Sequence, residues 1–307
     1  MKEGNPTDRY TRQINRALDY IATHMDGPLD IRSLAQSAGL SPFYFHRVFS
    51  AAMGESPARY VVRKRLERAA ICLRDDPGRT VSDIASEVGF GSVHVFCRNF
   101  KRFFGMTAEA YRRKAGCENG KNRPSEHNIG PYGRSYAHYL CSRKSLKIES
   151  KMVDCEFKIE YLETTHAVYC RHYGSYAEMQ GAFEKLMRWA FPKGLVSSDC
   201  RLAAVYHDDP EVTLVEKLTS DACLIVARPV KTDGEIGLLD LAAGKYAVGR
   251  FEIPWEDFRA AWQCMYRLIG EYGYRCCGLP FERYLNRPTE HPEGKWIVDI
   301  CIPVTAR

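Results

Sequence analysis

Apolar residues recur with a helical period through the first third of the chain and with a strand period from about residue 152. In 8–24, Tyr10, Ile14, Ala17, Leu18 and Ile21 share one face of a helix. Two helix–turn–helix patterns follow, at about 30–54 and 80–105, joined by a helix that starts at Ser56-Pro57 and runs to about 74. Beyond 152, alternation in 157–161, 167–171, 223–226 and 296–300 predicts strands, and longer periodic stretches at 175–191 and 254–272 predict helices. The expected fold class is multi-domain: an all-α module followed by an α+β domain with two principal helices.

The helical third repeats itself. Leu34-Ala35 corresponds to Ile84-Ala85 and Gly39 to Gly89 at an offset of 50 (84 − 34). After one inserted residue, Phe45, Arg47, Phe49, Gly54 and Tyr60 correspond to Phe96, Arg98, Phe100, Gly105 and Tyr111 at an offset of 51 (96 − 45). Two copies of one supersecondary unit are implied. Asp30 and Thr80 are expected to cap the first helices, and Ser41 and Ser92 the second, with Pro42 at the first helical position. Gly39 and Gly89 stand where the chain leaves the first helix, and Gly54 and Gly105 where the second stops.

Periodicity divides each second helix into two faces. Phe45, Val48 and Phe49, then Phe96, Phe100 and Phe103, are expected inside, with Asn99 a weak inner position. Phe43, His46, Arg47 and Ser50 are left outside in the first unit, and Val93, His94, Cys97, Arg98 and Lys101 in the second. An arginine on an exposed helix face can grip guanine O6 and N7 with two hydrogen bonds, a histidine can donate to or accept from a base edge, and Phe43 or Val93 can touch a thymine methyl. For any one of these residues a solvated surface position is an equal reading; their matched placement in both copies favours base reading. The connecting helix, about 18 residues long, spans roughly 27 Å, a spacer suited to two recognition helices in successive major grooves about 34 Å apart. Arg63, Lys64, Arg65 and Arg68, with Arg112, Arg113 and Lys114, are candidates for phosphate contacts, which add affinity without sequence information.

Charge follows the same division. Of the 44 Lys+Arg and 38 Asp+Glu, residues 1–116 hold 19 and 12, a net +7 (19 − 12), and residues 117–307 the remaining 25 and 26, a net −1 (25 − 26). A basic module joined to a near-neutral one fits a polyanion binder joined to something else. The 45% hydrophobic and 27% charged content argues against wholesale disorder. No apolar run approaches the roughly 18 residues of a membrane span. The polar start lacks the apolar core of a secretory signal, and the 12 cysteines include no C-x-x-C pair. Reduced thiols and a cytoplasmic location, without membrane partners, are expected. The stretch 115–151, rich in Gly, Pro, Asn and Ser, is expected to be a linker, with Tyr132, Tyr136 and Tyr139 able to dock.

Residues 7–114 resemble the DNA-binding region of the AraC/XylS family of bacterial transcription regulators, most specifically in IASEVGFGSVHVFCRNFKRFFGMTAEAYRR at 84–113. The resemblance implies double-stranded DNA as partner, base contacts from Phe43, His46 and Arg47 and from His94, Cys97 and Arg98, and a contact with RNA polymerase, as in an activator. Val93 departs from the polar residue often found there. The DNA-binding region leads the chain, as in the Rob-like arrangement.

The α+β part carries a second, weaker repeat. Arg171, Tyr176, Ala182, Phe183 and Leu186 correspond to Arg250, Trp255, Ala261, Trp262 and Met265 at an offset of 79 (250 − 171). Two such halves about a pseudo-two-fold axis would form one sheet with two helices and a cleft at the axis, a natural small-molecule site. No nucleophile elbow, phosphate loop, dinucleotide fingerprint or metal-ligand spacing occurs, and His166, His172 and His207 fall on different segments. No catalytic residue, metal or cofactor is expected. The distinctive group is Glu282 within GLPFERYLN at 278–286, sharing a strand face with Tyr284. A buried carboxylate attracts a cation, and aromatic walls reinforce that; an ion pair of Glu282 with a nearby arginine is the equal alternative. Residues 152–305 resemble the GyrI-like effector-binding domain, in VYHDDPEVTLVEKLTSDACLIV at 205–226 and in 278–286. The resemblance implies a hydrophobic cavity with Glu282 at its base for a lipophilic, cationic effector. Tyr169, Tyr206, Phe251, Trp255 and Tyr284 are the candidate walls, and His207 stands where an aromatic is common. Hydrolase activity (Glu282 with a neighbouring Tyr as acid–base pair) or a protein partner are the alternatives left open for this domain, residues 152–307.

Overall fold

The computed structural model describes residues 6–76, 78–116, 154–197 and 200–306. The expected linker, with its three tyrosines, therefore lies almost wholly outside the described residues. The chain divides into two compact units.

Among the described residues, the first unit consists of seven helices: α1 (Pro6–Thr23), α2 (Ile31–Ser37), α3 (Pro42–Met53), α4 (Pro57–Asp75), α5 (Val81–Glu87), α6 (Val93–Phe104) and α7 (Ala108–Gly116). Asp30, Ser41, Ser56 and Thr80 each accept a backbone N–H at a helix start, satisfying donors that have no intrahelical partner. Ser92 makes no such bond, so the expected fourth cap is absent. Two cores form. One gathers Ile14, Leu18 and Ile21 of α1 with Leu34, Phe45, Phe49, Tyr60 and Val61. The other gathers Leu66, Ala70 and Leu73 of α4 with Ile84, Phe96, Phe100 and Tyr111. Helix α4 thus gives its first turns to one core and its remainder to the other.

Arg65 joins the two at the middle of α4. Its Nε donates to the carbonyl of Met25 at 3.0 Å and its Nη2 to that of Gly27. Gly89, at the turn of the second repeat, sits against the same guanidinium; a Cβ there would lie 2.7 Å from it and from the Met25 carbonyl, and φ is +87°. Arg63 is buried as well. Its Nε donates to Glu55 at 2.8 Å, its Nη1 reaches both oxygens of Glu67 at 3.1 Å, and it stacks over Tyr60. The expectation that Arg63 and Arg65 neutralise phosphates is therefore corrected: both are committed to holding α4, while Arg68 remains exposed.

The second unit consists of β1 (Glu156–Leu162), β2 (Thr165–Tyr173), α8 (Gln180–Ala190), β3 (Leu202–Tyr206), β4 (Thr219–Val226), β5 (Gly237–Leu241), β6 (Gly244–Ile253), α9 (Phe258–Glu271), β7 (Tyr274–Cys276), β8 (Phe281–Tyr284) and β9 (Trp296–Ala306). A short helical turn precedes each helix, at Tyr176–Glu178 and Trp255–Asp257. The antiparallel sheet runs β1-β6-β9-β8-β3-β4-β2-β5, with β7 on β9. Read from the centre outward this order is symmetric: β3-β4-β2-β5 on one side mirrors β8-β9-β6-β1 on the other. Each half lends its first strand to the other, since β1 pairs with β6 and β5 with β2. Helices α8 and α9 cover one face through Leu186, Ala190, Ala261 and Met265. Tyr169, Val205, Cys223, Val248 and Phe281 form the core on the other.

That second face carries two matching ion pairs. Arg171 donates Nε and Nη2 to Asp221 at 2.7 and 2.8 Å, and Arg250 does the same to Asp299 at 2.8 and 3.0 Å. Burial opposes the charge on Asp221, but Arg171 and then His207 hold its carboxyl well below the usual range. His207 Nε2 lies 2.6 Å from Asp221, so it belongs to this pair and not to the cleft.

Arg63→Ala is expected to destabilise the first unit by about 3–5 kcal/mol, the cost of stranding a buried partner charge. Chemical denaturation of the full chain measures this. An unchanged denaturation midpoint with a reduced salt dependence of DNA binding would restore the phosphate reading.

Candidate functional sites: a helix pair for DNA and an aromatic cleft

On α3, Phe43, His46 and Arg47 are exposed while Phe45 and Phe49 are buried, because Pro42 and the Ser41 cap set the rotation of the helix. Phe43 is 75% exposed, which is unusual for so large an apolar ring. Ser50 is half-buried with its hydroxyl enclosed, so it does not share this surface. On α6, His94, Arg98 and Lys101 are exposed on one face. These positions match at the offset of 51: Phe43 with His94, His46 with Cys97, Arg47 with Arg98, and Ser50 with Lys101. Cys97 and Val93 are half-buried and pack against the second core, so their expected outward placement is corrected. Burial pushes the Cys97 thiol up, keeping it neutral. Asn99 donates to the Val95 carbonyl at 2.8 Å, and Val95 is exposed where sequence periodicity does not single it out. Arg112 on α7 is half-buried, with Nε and Nη2 enclosed and without hydrogen-bond partners.

In the second unit Glu282 is 1% exposed. Its Oε2 accepts hydrogen bonds from the hydroxyls of Tyr206 at 2.8 Å and Tyr284 at 2.6 Å, and its Oε1 accepts from Trp262 Nε1 at 2.7 Å. These three donors are all neutral. Of the two readings of Glu282, the arginine pair is not what forms: its neighbour Arg283 turns to Asp299 instead. Burial raises the Glu282 carboxyl above its ordinary value, and the three hydrogen bonds only partly offset this. Burial and the adjacent carboxylate push both phenols well above theirs.

Aromatic rings radiate from this carboxylate. Tyr206 meets Trp262 edge-on at 5.5 Å and Tyr176 at 4.8 Å. Tyr284 lies 5.1 Å from Trp296 and 6.2 Å from Phe183. Trp255, 54% exposed, stacks near Phe258 and so stands at the outer margin. Two expected wall residues are elsewhere. Tyr169 points to the opposite face of the sheet, under Arg171, because period two sets it there. Phe251 is fully buried beneath α9. Sequence reasoning misses Trp262, Phe183, Trp296 and Tyr176 as wall residues. All but Trp296 stand at equivalent positions in the repeat, and that is the signal that could have found them.

Residues 156–305 match the family described as GyrI-like small molecule binding domain, and 34–114 match a helix-turn-helix domain family. The regulatory protein SoxS of Salmonella typhimurium is 34% identical over 101 residues, 33% of this chain and 94% of that protein. The DNA gyrase inhibitor of Escherichia coli is 33% identical over 128 residues, 40% of this chain and 78% of that protein. The transcriptional regulator Rob of Salmonella typhimurium is 33% identical over 102 residues, 33% of this chain and 35% of that protein. With two helix–turn–helix units whose exposed faces match and a sheet domain built around one carboxylate, the chain belongs to the AraC/XylS family of DNA-binding transcription regulators and carries a GyrI-like small-molecule binding domain.

Proposed function

We propose that Phe43, His46 and Arg47 on α3, and His94, Arg98 and Lys101 on α6, read bases in two major-groove segments of one operator. What supports this is the matched exposure of Arg47 and Arg98 on equivalent helix faces. Cys97 flanks the second face as a neutral contact. Arg68, Arg113 and Lys114 meet phosphates, as does half-buried Arg112. Contact with RNA polymerase follows from the family reading, as does a cytoplasmic location.

The second unit senses a lipophilic cation. The observation that carries this is a carboxylate 1% exposed, bonded only by neutral donors and ringed by aromatic side chains. Such a group lacks a counter-charge, and cation–π attraction from the surrounding rings adds to its pull. Burial and the adjacent carboxylate keep the Tyr206 and Tyr284 phenols protonated, so in the hydrolase alternative Glu282 is the base and a phenol the acid, and product formation from a bound ligand separates that alternative from binding alone. The effector changes transcription by the difference in its affinity for two states of the chain. Transcription in vitro from an operator selected by the protein, with and without tetraphenylphosphonium, tests this; unchanged transcription under conditions where calorimetry shows binding would refute the sensing step.

Arg47→Ala and Arg98→Ala are each expected to weaken operator binding by about 1–3 kcal/mol and to relax specificity at a single base pair. Arg112→Ala should weaken all sequences alike, with a shallower salt slope. Fluorescence anisotropy with single-substitution operators separates the two patterns.

Cation affinity should depend on pH through Glu282. Its carboxyl is raised, so it gains a proton at a higher pH than the ordinary glutamic acid value of about 4.3. A bound cation needs the ionised form, so binding expels that proton, and affinity falls on acidification while exposed carboxylates are still charged. Calorimetry at acidic pH in buffers of different ionisation heat should show proton release for the natural chain, fading as the pH is raised. Glu282→Gln should bind weakly and show no such release.

A further inference from the structure

The second unit is a duplication, and its axis can be located by residue. Tyr206 and Tyr284 stand 78 residues apart (284 − 206), as do Asp221 and Asp299 (299 − 221) and Cys223 and Cys301 (301 − 223). At the same offset, Glu282 is the mate of Ala204 (282 − 78). Strands β3 and β8 are antiparallel neighbours at the centre of the sheet, and their register pairs Ala204 directly with Glu282. The pseudo-two-fold axis therefore passes between these two residues. Directly opposed residues in an antiparallel pair point to the same face, with Cβ atoms about 4.5–5.5 Å apart. Ala204 is fully buried on the α8 side of that face.

The symmetry holds for the tyrosines, which both reach Glu282 Oε2, and among the places where it breaks two bear on charge. One half supplies a carboxylate where the other supplies a methyl group. One half supplies Trp262, whose N–H bonds Oε1, where the other supplies Phe183, which has no polar atom on its side chain. The cleft thus has a charged side toward α9 and an apolar side toward α8.

We infer that Ala204 and Phe183 set the charge of the effector: the cleft takes a compact ion with one positive charge, its uncharged end against Phe183, and refuses a compact dication. This rests on the reading of Glu282 as the cation partner and goes beyond it by assigning a role to the residue across the axis. A second positive charge held rigidly within the cleft would lie on the side where Ala204 and Phe183 offer no carboxylate, and the Asp208 carboxylate beyond Tyr176 already accepts the Thr219 N–H at 2.8 Å.

The test uses two rigid ions of nearly equal size, N-methyl-4-phenylpyridinium, with one charge, and 1,1′-dimethyl-4,4′-bipyridinium, with two. Calorimetry on the full chain should show the single-charged ion binding more than about tenfold tighter. Ala204→Glu should reduce or invert that ratio by about tenfold, while Ala204→Gln, of similar volume but uncharged, should keep the original preference. Should Ala204→Glu fail to fold by circular dichroism, Phe183→Glu, on the half-buried helix wall, supplies the second carboxylate and should shift the ratio in the same direction. Equal binding of both ions by the natural chain overturns the inference while leaving the cation reading intact. So does an unchanged ratio in the folded Phe183→Glu variant. Failure of the natural chain to bind either ion overturns both.

Discussion

The guanidinium of Arg65 is where two copies of one helical motif become a single module. It bonds carbonyls just beyond the end of α1 and presses on Gly89 in the turn of the second repeat. Each repeat has its own core, and α4 belongs to both. A shared helix sets the distance between repeats, and a side chain locked at its middle ties the end of one to the turn of the other. Arg63, two residues earlier, anchors the same helix through Glu55 and Glu67. Two arginines of a basic helix thus serve geometry, and the matched exposed faces belong to α3 and α6.

The second unit solves the same problem differently. Its halves exchange their first strands, β1 to β6 and β5 to β2, so neither half completes its sheet without the other. Paired Arg171–Asp221 and Arg250–Asp299 bridges repeat on the face away from the helices. The elements that maintain the sheet are kept in duplicate. Among the differences between halves at the cleft are Glu282 against Ala204, and Trp262 against Phe183. Duplication supplies the frame, and the departures from it supply the chemistry.

Much of this is legible along the chain. Helical repeats announce themselves because glycine, N-cap and aromatic positions are set by local backbone needs that recur in each copy. The sheet repeat is fainter, because a strand specifies only alternation, and its pairing partners lie far away in sequence. Glu282 stands out as a carboxylate among apolar residues, and its link to Tyr284 follows from period two. Tyr169 escapes correct placement because period two says which residues share a face, not which face the helices cover. Arg63 and Arg65 mislead for a related reason: a basic run on a helix looks the same whether it faces phosphate or carboxylate, and the partners Glu55, Met25 and Gly27 belong to other segments. Cys97 and Val93 fall outward on a helical wheel that ignores how far the neighbouring helix extends over them.

The three hydrogen bonds to Glu282 bear on how sensing works. An ionised carboxylate offers about four acceptor positions, and three are taken by neutral side chains. Those bonds make burial tolerable without cancelling its cost, which is why the carboxyl remains raised. With Glu282 only 1% exposed, an ion that pairs with it directly must displace Tyr206, Tyr284 or Trp262, or else lie against their rings. Two of these residues sit on central strands and the third on α9. Displacing a phenol or an indole from the carboxylate moves the wall it belongs to, so charge recognition and rearrangement of the cleft are the same event. A ligand without positive charge can fill the apolar side but gains nothing from displacing those donors, so the aromatic walls distinguish occupancy from recognition.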